Sequence, residues 1–451
     1  MPSIDLSNRR GLGNMAFVIE YTRGFFDAAY EQQIMGLYGR PVVGRRFEPI
    51  GSLRSRSIVD FVRCSYLGLD NHPAIVAGAI AAIRDYGSVH WSCARTRLNF
   101  GLLGDLEARL SAMFRARVIA FSTVMVANMG ALPLIASGAL TGGEKPLVAF
   151  DRLCHASLAH HKAVVAQETE IVTIAHNDVQ ALEELCRTRK QVAYVADGVY
   201  SMGGSAPIPA LIDLQQRYGL FLYIDDAHGI SLFGDKGEGY ARSHFPDEIG
   251  SRTIIAASLG KGFGASGGIL MMGTAEQEKL FRSHAQPYVF SAAPNLAAVG
   301  AGLASAALHD SGELSRLQSD LAARVSCFDD RIETRQRRTP LPIRMLSIGE
   351  EDAAIRAARR LLDRGFYTSA TFFPTVARGK AGIRVCLTAA HSHAEIEELC
   401  QAIEDVVPGH DSALPTSATR SDAISPNRYV GDVPASLADR LSYADTEEWG
   451  A

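Results

Sequence analysis

Between about residues 59 and 295, short apolar runs alternate with stretches of helical period. PLVAF (146–150), EIVTI (170–174), QVAYVA (191–196), GLFLYI (219–224) and RTIIAAS (252–258) are apolar at nearly every position. A strand that shows no polar face is covered on both sides. Helix-length segments between most of these runs therefore predict a mainly parallel sheet with helices on both faces. DVQALEELCRTR and LIDLQQRYG read as amphipathic helices that stop at Lys/Arg or at Gly.

The pattern changes on either side of this block. Residues 1–58 are mixed, carry arginine clusters (RPVVGRRF, LRSRS) and read as an N-terminal arm. Residues 296–408 hold longer helical patterns (LAAVGAGLASAALHD, DAAIRAARRLLDRG, AEIEELCQAIEDVV) and the strand GIRVCLTA, and read as a second, smaller α+β domain. From 409 to 451 the chain is rich in Ser, Pro, Asp and Ala without apolar period, which predicts a loosely ordered tail or an arm on another subunit.

Composition narrows the class. The chain has 451 residues, 47% hydrophobic and 21% charged, with a net charge of −4. That is an ordinary globular balance without the basic face of a nucleic-acid binder or a polybasic membrane signal. Seven cysteines without a CxxC pair point to free thiols in a reducing compartment. With no signal-peptide layout and no span-length apolar run, the expected location is the cytoplasm, with no membrane span.

The chemistry concentrates where apolar runs end. QVAYVA runs into Asp197, GLFLYI into Asp225, Asp226, Ala227 and His228, and RTIIAAS is followed by Lys261. Ligands of open parallel sheets bind beyond the carboxyl ends of the strands. A strand-end Asp is often only a helix cap, and ASLGKGFGASGG (257–268) is also what a surface turn around a lysine looks like. The joint occurrence suits pyridoxal phosphate (PLP), which needs an amine for a Schiff base, a carboxylate at its ring nitrogen and donors for its phosphate. Lys261 would supply the amine and Asp225 the carboxylate. His228 would reach the ring hydroxyl, and Ser258 a phosphate oxygen.

DDAHG (225–229) followed by SLGKGFG (258–264) resembles the α-oxoamine synthases, PLP enzymes of fold type I. The resemblance spans roughly residues 58–405. SYLGLDNHP (65–73), with Tyr66, is similar to the family's first motif and places Tyr66 at the substrate. DRLCHASL (151–158) implies that His155 stacks on the cofactor ring and polarises the thioester carbonyl. HND (176–178) and DGVYSMGGSAPIPAL (197–211) match the core and set Asp197 and Ser201 beside the cofactor. YVFSAAP (288–294) implies that Ser291 reaches the phosphate of the neighbouring subunit, hence a homodimer with shared sites. GIRVCLTAAH (382–391) implies that Arg384 holds the substrate carboxylate. The family's fold is a large domain with a mainly parallel seven-stranded sheet and a smaller C-terminal domain.

This chain also departs from the family. FSTVMVAN (121–128) replaces the usual Ser-Gly-aromatic, leaving the backbone at Thr123, Val124 and Met125 to take the phosphate. SVHWSCARTRLNFGLL replaces a glycine-rich segment, and its bulk and charge make Arg95 and Arg97 candidate substrate contacts beside Trp91. Cys64 stands where Asn is common. His155, His160 and His161 lack a metal-ligand set, and no metal is expected.

The resemblance implies decarboxylative condensation of an α-amino acid with an acyl thioester, carried by coenzyme A or an acyl carrier protein, to an α-amino ketone. The residues alone require only PLP chemistry at Cα. An aminotransferase would use the same lysine, aspartate and arginine, and a non-catalytic partner subunit would share the fold.

Overall fold

The computed structural model describes residues 15–51 and 57–407. The expected tail at 409–451, and residues 1–14 and 52–56 of the expected arm, lie outside the described residues.

A seven-stranded sheet is built from β1 (Arg117–Phe121), β2 (Leu147–Asp151), β3 (Ile171–Ile174), β4 (Val192–Asp197), β5 (Phe221–Asp225), β6 (Thr253–Ser258) and β7 (Gly268–Met272). Its order is β1-β7-β6-β5-β4-β2-β3. β7 runs antiparallel to both neighbours, and the pairs from β6 to β3 are parallel. Alternate residues feed two cores. Tyr194, Leu222, Ile224 and Ile255 pack on one face, and Val195, Phe221, Tyr223 and Ile254 on the other. Period two with both faces covered explains why these strands read as unbroken apolar runs.

The register brings the chemistry level. Asp197 pairs with Asp225, and Asp225 with Ala256, so β4, β5 and β6 finish at one edge. Because β7 reverses, the chain must turn back between Ser258 and Gly268, and Lys261 sits on that turn. Leu259 N–H donates to Gly267 O at 2.9 Å to close it. Gly264 lies at φ +75°, and a Cβ there would come within 2.3 Å of Leu69 Cβ. The glycines around the lysine thus serve the turn and its close packing on the 65–73 motif.

The smaller sheet comprises β8 (Ile343–Gly349), β9 (Ser369–Thr371) and β10 (Ala381–Cys386), in the order β8-β10-β9, all antiparallel. Helices Glu313–Asp329, Glu351–Asp363 and His393–Val406 share its core with Ala29, Ile34, Ile58, Phe61 and Leu69. The short strand Ile58–Asp60 pairs in parallel with Phe366–Tyr367. The N-terminal segment is therefore woven into the second core. Among the described residues no helix is long and apolar enough to cross a membrane.

Candidate active site

At the level edge of the large sheet lies a cavity of about 570 Å³, lined among others by Cys64, His155, Ser201, His228, Lys261 and Arg384. The lysine comes from the β6–β7 turn, the arginine from β10 of the smaller sheet. Ile34 and Met35 close one wall from the N-terminal segment, and Ser369 to Thr371 another.

Lys261 Nζ stands 2.8 Å from His228 Nε2, and His228 Nδ1 stands 2.7 Å from the Tyr66 hydroxyl. Burial pushes His228 well below its usual range, and the charges of Lys261 and Arg384 add to this. The ring is neutral: Nε2 accepts from Lys261 and Nδ1–H donates to Tyr66. Burial also lowers Lys261, with Cys64 and Asp225 pulling the other way. A lysine brought toward neutrality is a usable nucleophile and base.

Asp225 is 2% exposed and held by two donors. Asn128 Nδ2 donates to Oδ2 at 2.9 Å, and Ala227 N–H to Oδ1 at 3.1 Å. Asn128 Oδ1 accepts from the Tyr223 hydroxyl at 2.6 Å, and its amide reaches Ser157 Oγ at 3.0 Å. Ser157 Oγ in turn meets His155 Nδ1 at 2.8 Å. A chain of hydrogen bonds thus links the β5 carboxylate to His155, which caps the helix Ala156–Ala159. Burial lowers His155, and Lys261 and Arg384 add to that effect. Asp197 Oδ2 accepts from the His155 amide at 2.9 Å. Burial and the nearby Asp225 raise Asp197 well above its usual value.

Arg384 donates from Nε to Ser201 O at 3.3 Å and lies 3.5 Å from Cys64 Sγ. Burial works against its charge, but Cys386, Tyr66 and Cys64 hold its pKa above the ordinary value. Contact with Cys386 pulls the Cys64 thiol below its usual range, against burial, and Arg384 and Lys261 pull the same way.

Other expected residues stand apart from this cavity. Tyr66 is buried, its hydroxyl against both His228 Nδ1 and Cys64. Thr123 caps the helix Val124–Ala136, its hydroxyl accepting from Val126 N–H at 3.2 Å. Its side chain is thus engaged while the helix N-terminus stays open. Ser258 Oγ accepts from Gly260 N–H at 3.3 Å. Ser291 is exposed and donates to Pro287 O at 2.5 Å. The expectation that Arg95 meets a substrate is corrected. Arg95 is 4% exposed, pairs with Glu107 at 2.6 Å, bonds to Ala120 O and stacks 4.1 Å over Tyr288. A guanidinium so enclosed needed an internal carboxylate, and Glu107 supplies it. Arg97 is exposed and outside the cavity, and Trp91 packs on Tyr86 and Phe100. Among the described residues no group of three or more His, Cys, Asp or Glu is placed to hold a metal ion.

Sequence reasoning missed Asn128, although its signal was present. VMVANMGALPLIA has no other polar side chain, and a lone amide on an all-apolar buried helix must have partners.

The donor set fits PLP: an amine lowered by burial, a buried carboxylate braced by an amide, and an open helix N-terminus at the same sheet edge. The comparisons agree. The model of the family described as aminotransferase class I and II matches residues 73–403. The chain is 32% identical over 361 residues to the 8-amino-7-oxononanoate synthase of Nitrosococcus oceani, covering 78% of this chain and 92% of that one. It is 31% identical over 381 residues to the synthase of Maricaulis maris, covering 83% and 92%. In fold it matches a serine palmitoyltransferase of S. paucimobilis, solved with PLP and myriocin bound, at a TM-score of 0.74 and 21% identity, covering 86% of this chain and 99% of that one. A chain matched over most of its length, with the amine and the arginine lining one cavity, belongs to the aminotransferase class I and II family, in its α-oxoamine synthase branch on fold type I.

Proposed function

We propose that the protein is a PLP-dependent acyltransferase that joins an α-amino acid to an acyl thioester with loss of CO₂, giving an α-amino ketone. The observation that carries this reading is that Lys261 and Arg384, from two different sheets, line the same cavity. An amine and a carboxylate anchor on opposite walls suit a substrate that bears an amine and a carboxylate on one carbon.

PLP, when bound, supplies a sink for the electron pair left at Cα. The chain's own residues do the rest. Arg384 holds the substrate carboxylate. Lys261 takes the Cα proton, its amine kept available by burial and by neutral His228. Asp225, braced by Asn128, keeps a proton on the ring nitrogen. His155, which lines the cavity, would lie against the ring and could polarise the thioester carbonyl. The new C–C bond forms at Cα as the thioester C–S bond breaks, the thiol leaves with the proton taken from Cα, and the carboxylate departs as CO₂, the pair it leaves at Cα taking up a proton from water. Thr123, Val124 and Met125 offer backbone N–H groups to the phosphate, with Ser258 beside them.

Two further readings belong to this proposal. Met125, Met129 and Phe290 are 47%, 48% and 81% exposed on two helices that pack together. Their apolar surface supports a homodimer that covers them and brings Ser291 to the partner's site. All seven cysteines are free thiols, in keeping with a reducing cytoplasm. The test is to incubate purified protein with single amino acids and a panel of acyl thioesters and to follow free thiol. Amino-acid-dependent thiol release supports condensation. Consumption of an α-keto acid without thiol release marks an aminotransferase and defeats it.

A further inference from the structure

The loop after β4 folds back at Ser201–Gly204, where Tyr200 N–H donates to Gly204 O at 2.9 Å and Val199 bridges Ser205. Ser201 and Met202 of this turn line the catalytic cavity. Side chains from three other parts of the chain hold its carbonyls one by one. Arg384 Nε donates to Ser201 O and Gln336 Nε2 to Met202 O, both at 3.3 Å. His176 Nε2 lies 3.0 Å from Gly203 O, and Asn177 Nδ2 donates to Ser205 O at 3.0 Å. A guanidinium and two amides keep their protons at any working pH. Of these four donors only the imidazole can lose its own.

His176 follows β3 and is half-buried. Its Nδ1 meets Asp151 Oδ1, at the end of β2, at 3.0 Å. Asp151 has no proton to offer, because its oxygens already accept elsewhere. Oδ1 takes Leu153 N–H and Oδ2 takes Asn177 N–H, each at 2.8 Å, and Oδ2 also takes the Tyr194 hydroxyl at 2.9 Å. Burial works against the Asp151 charge, but His176 and these amides hold its carboxyl below the ordinary value. Gly203 O is likewise an acceptor. With acceptors on both sides, both ring nitrogens carry protons. Burial opposes the His176 charge, but the Asp151 carboxylate raises its pKa above the ordinary value. Tyr200, kept neutral by burial, stands edge-on to the ring at 4.5 Å. Asp178 is committed to Ala181 N–H at 2.9 Å as a helix cap. Asn177 Nδ2 lies 3.3 Å from Nε2, so a ring without its second proton has a donor to turn to.

We propose that His176, as an imidazolium held by Asp151, is a positioning residue that pins the Ser201–Gly204 turn and through it Arg384, so that the amino-acid substrate is held tightly only while this ring is protonated. When the proton leaves, Nε2 gives up Gly203 O and accepts from Asn177 Nδ2 instead, and the turn that Arg384 leans on is released. The inference rests on Arg384 as the carboxylate anchor, and not on acyl transfer.

The test titrates an amino acid into PLP-loaded protein over a range of pH, with dissociation constants read from the cofactor absorbance. His176→Asn keeps a donor for Asp151 and leaves Gly203 O without one. At the acid end it should bind the amino acid about tenfold more weakly than wild type, as loss of a charge-assisted hydrogen bond requires. At the alkaline end the two should converge, because wild type has then lost the same bond. Taking the ratio of the two constants cancels the titration of the amino acid itself. Asp151→Asn removes the charge that keeps the proton on the ring, so its weakening should set in at lower pH than in wild type. This second variant decides the matter if His176→Asn does not fold. A ratio that is constant with pH is what a merely structural role gives, and it overturns the inference, as does an unshifted onset in Asp151→Asn. No absorbance change with any amino acid in wild type defeats the amino-acid site and the inference together.

Discussion

At the scale of single residues, the site is a balance of buried charges, and Asn128 is its least obvious member. It donates to Asp225, accepts from Tyr223 and reaches Ser157. Asn128→Ala removes a hydrogen bond to a charged group, worth about 1.5–3 kcal/mol, and strands the Tyr223 hydroxyl. We expect turnover to fall by about tenfold or more and PLP affinity to drop; unchanged steady-state kinetics and PLP affinity would remove Asn128 from the machinery. Arg384→Lys keeps the charge and loses the planar fork. It should raise KM for the amino acid by about tenfold while KM for the thioester stays put; equal rises in both would show a structural role. That Lys261, His228 and Arg384 come together in one cavity, with Asp225 at the end of its strand, could be anticipated because they follow apolar runs or stand in recognisable motifs. Arg95 was misread because a charged residue in an unusual segment looks like a ligand contact. Its partner Glu107 lies on the next helix and becomes visible only once that helix folds back.

Among the elements, the strand ends do the positioning, and one glycine sets how closely they approach. A Cβ on Gly268 would come within 2.3 Å of Val124 N, at the N-terminus of the helix that carries Asn128. Gly268→Ala must push that helix off β7. Overpacking of this kind costs about 1–3 kcal/mol, which denaturant unfolding reads directly. The same shift should speed PLP loss on dialysis, whereas a variant as stable and as well loaded as wild type would show that the helix end does not hold the phosphate. Five of the seven large-sheet strands were readable as apolar runs. Their parallel direction was readable as well, because helix-length segments separate most of them and no strand shows a polar face. The antiparallel return of β7, which explains why Lys261 lies on a glycine-rich turn, had to be seen. So did the N-terminal segment as a wall of the site, because its pairing with Phe366–Tyr367 is a contact between distant parts of the chain.

For the molecule as a whole, pH tests how the parts are joined. His391 accepts from Thr388 N–H at 3.0 Å, reaches Asp60 O at 2.9 Å and stacks on Phe61. His309 similarly joins Ser305 O to Ser231 Oγ, at 2.8 and 2.9 Å. In each neutral ring both nitrogens are committed. Burial lowers both from 6.5 to about 4. Between those values the unfolded chain binds a proton that the folded chain refuses. Stability is therefore full above pH 6.5 and falls as pH drops toward 4, by about 1.4 kcal/mol per pH unit for each ring. Unfolding free energies of His309→Gln/His391→Gln should be correspondingly flatter over that range, and a slope equal to wild type would contradict the burial argument. On the outer surface, Met129→Lys with Phe290→Asp should convert the proposed homodimer to monomer in sedimentation and cut activity; a variant that stays dimeric would place the interface elsewhere.

The central claim is condensation at the Lys261 cavity, and the most direct measurement is product stoichiometry. PLP-loaded protein is given one accepted amino acid, labelled at its carboxyl carbon, and one acyl thioester, and thiol and CO₂ are counted together. The account predicts one thiol and one CO₂ per amino acid consumed, and neither with Lys261→Ala. Thiol without CO₂, CO₂ without thiol, or full turnover in Lys261→Ala would contradict it.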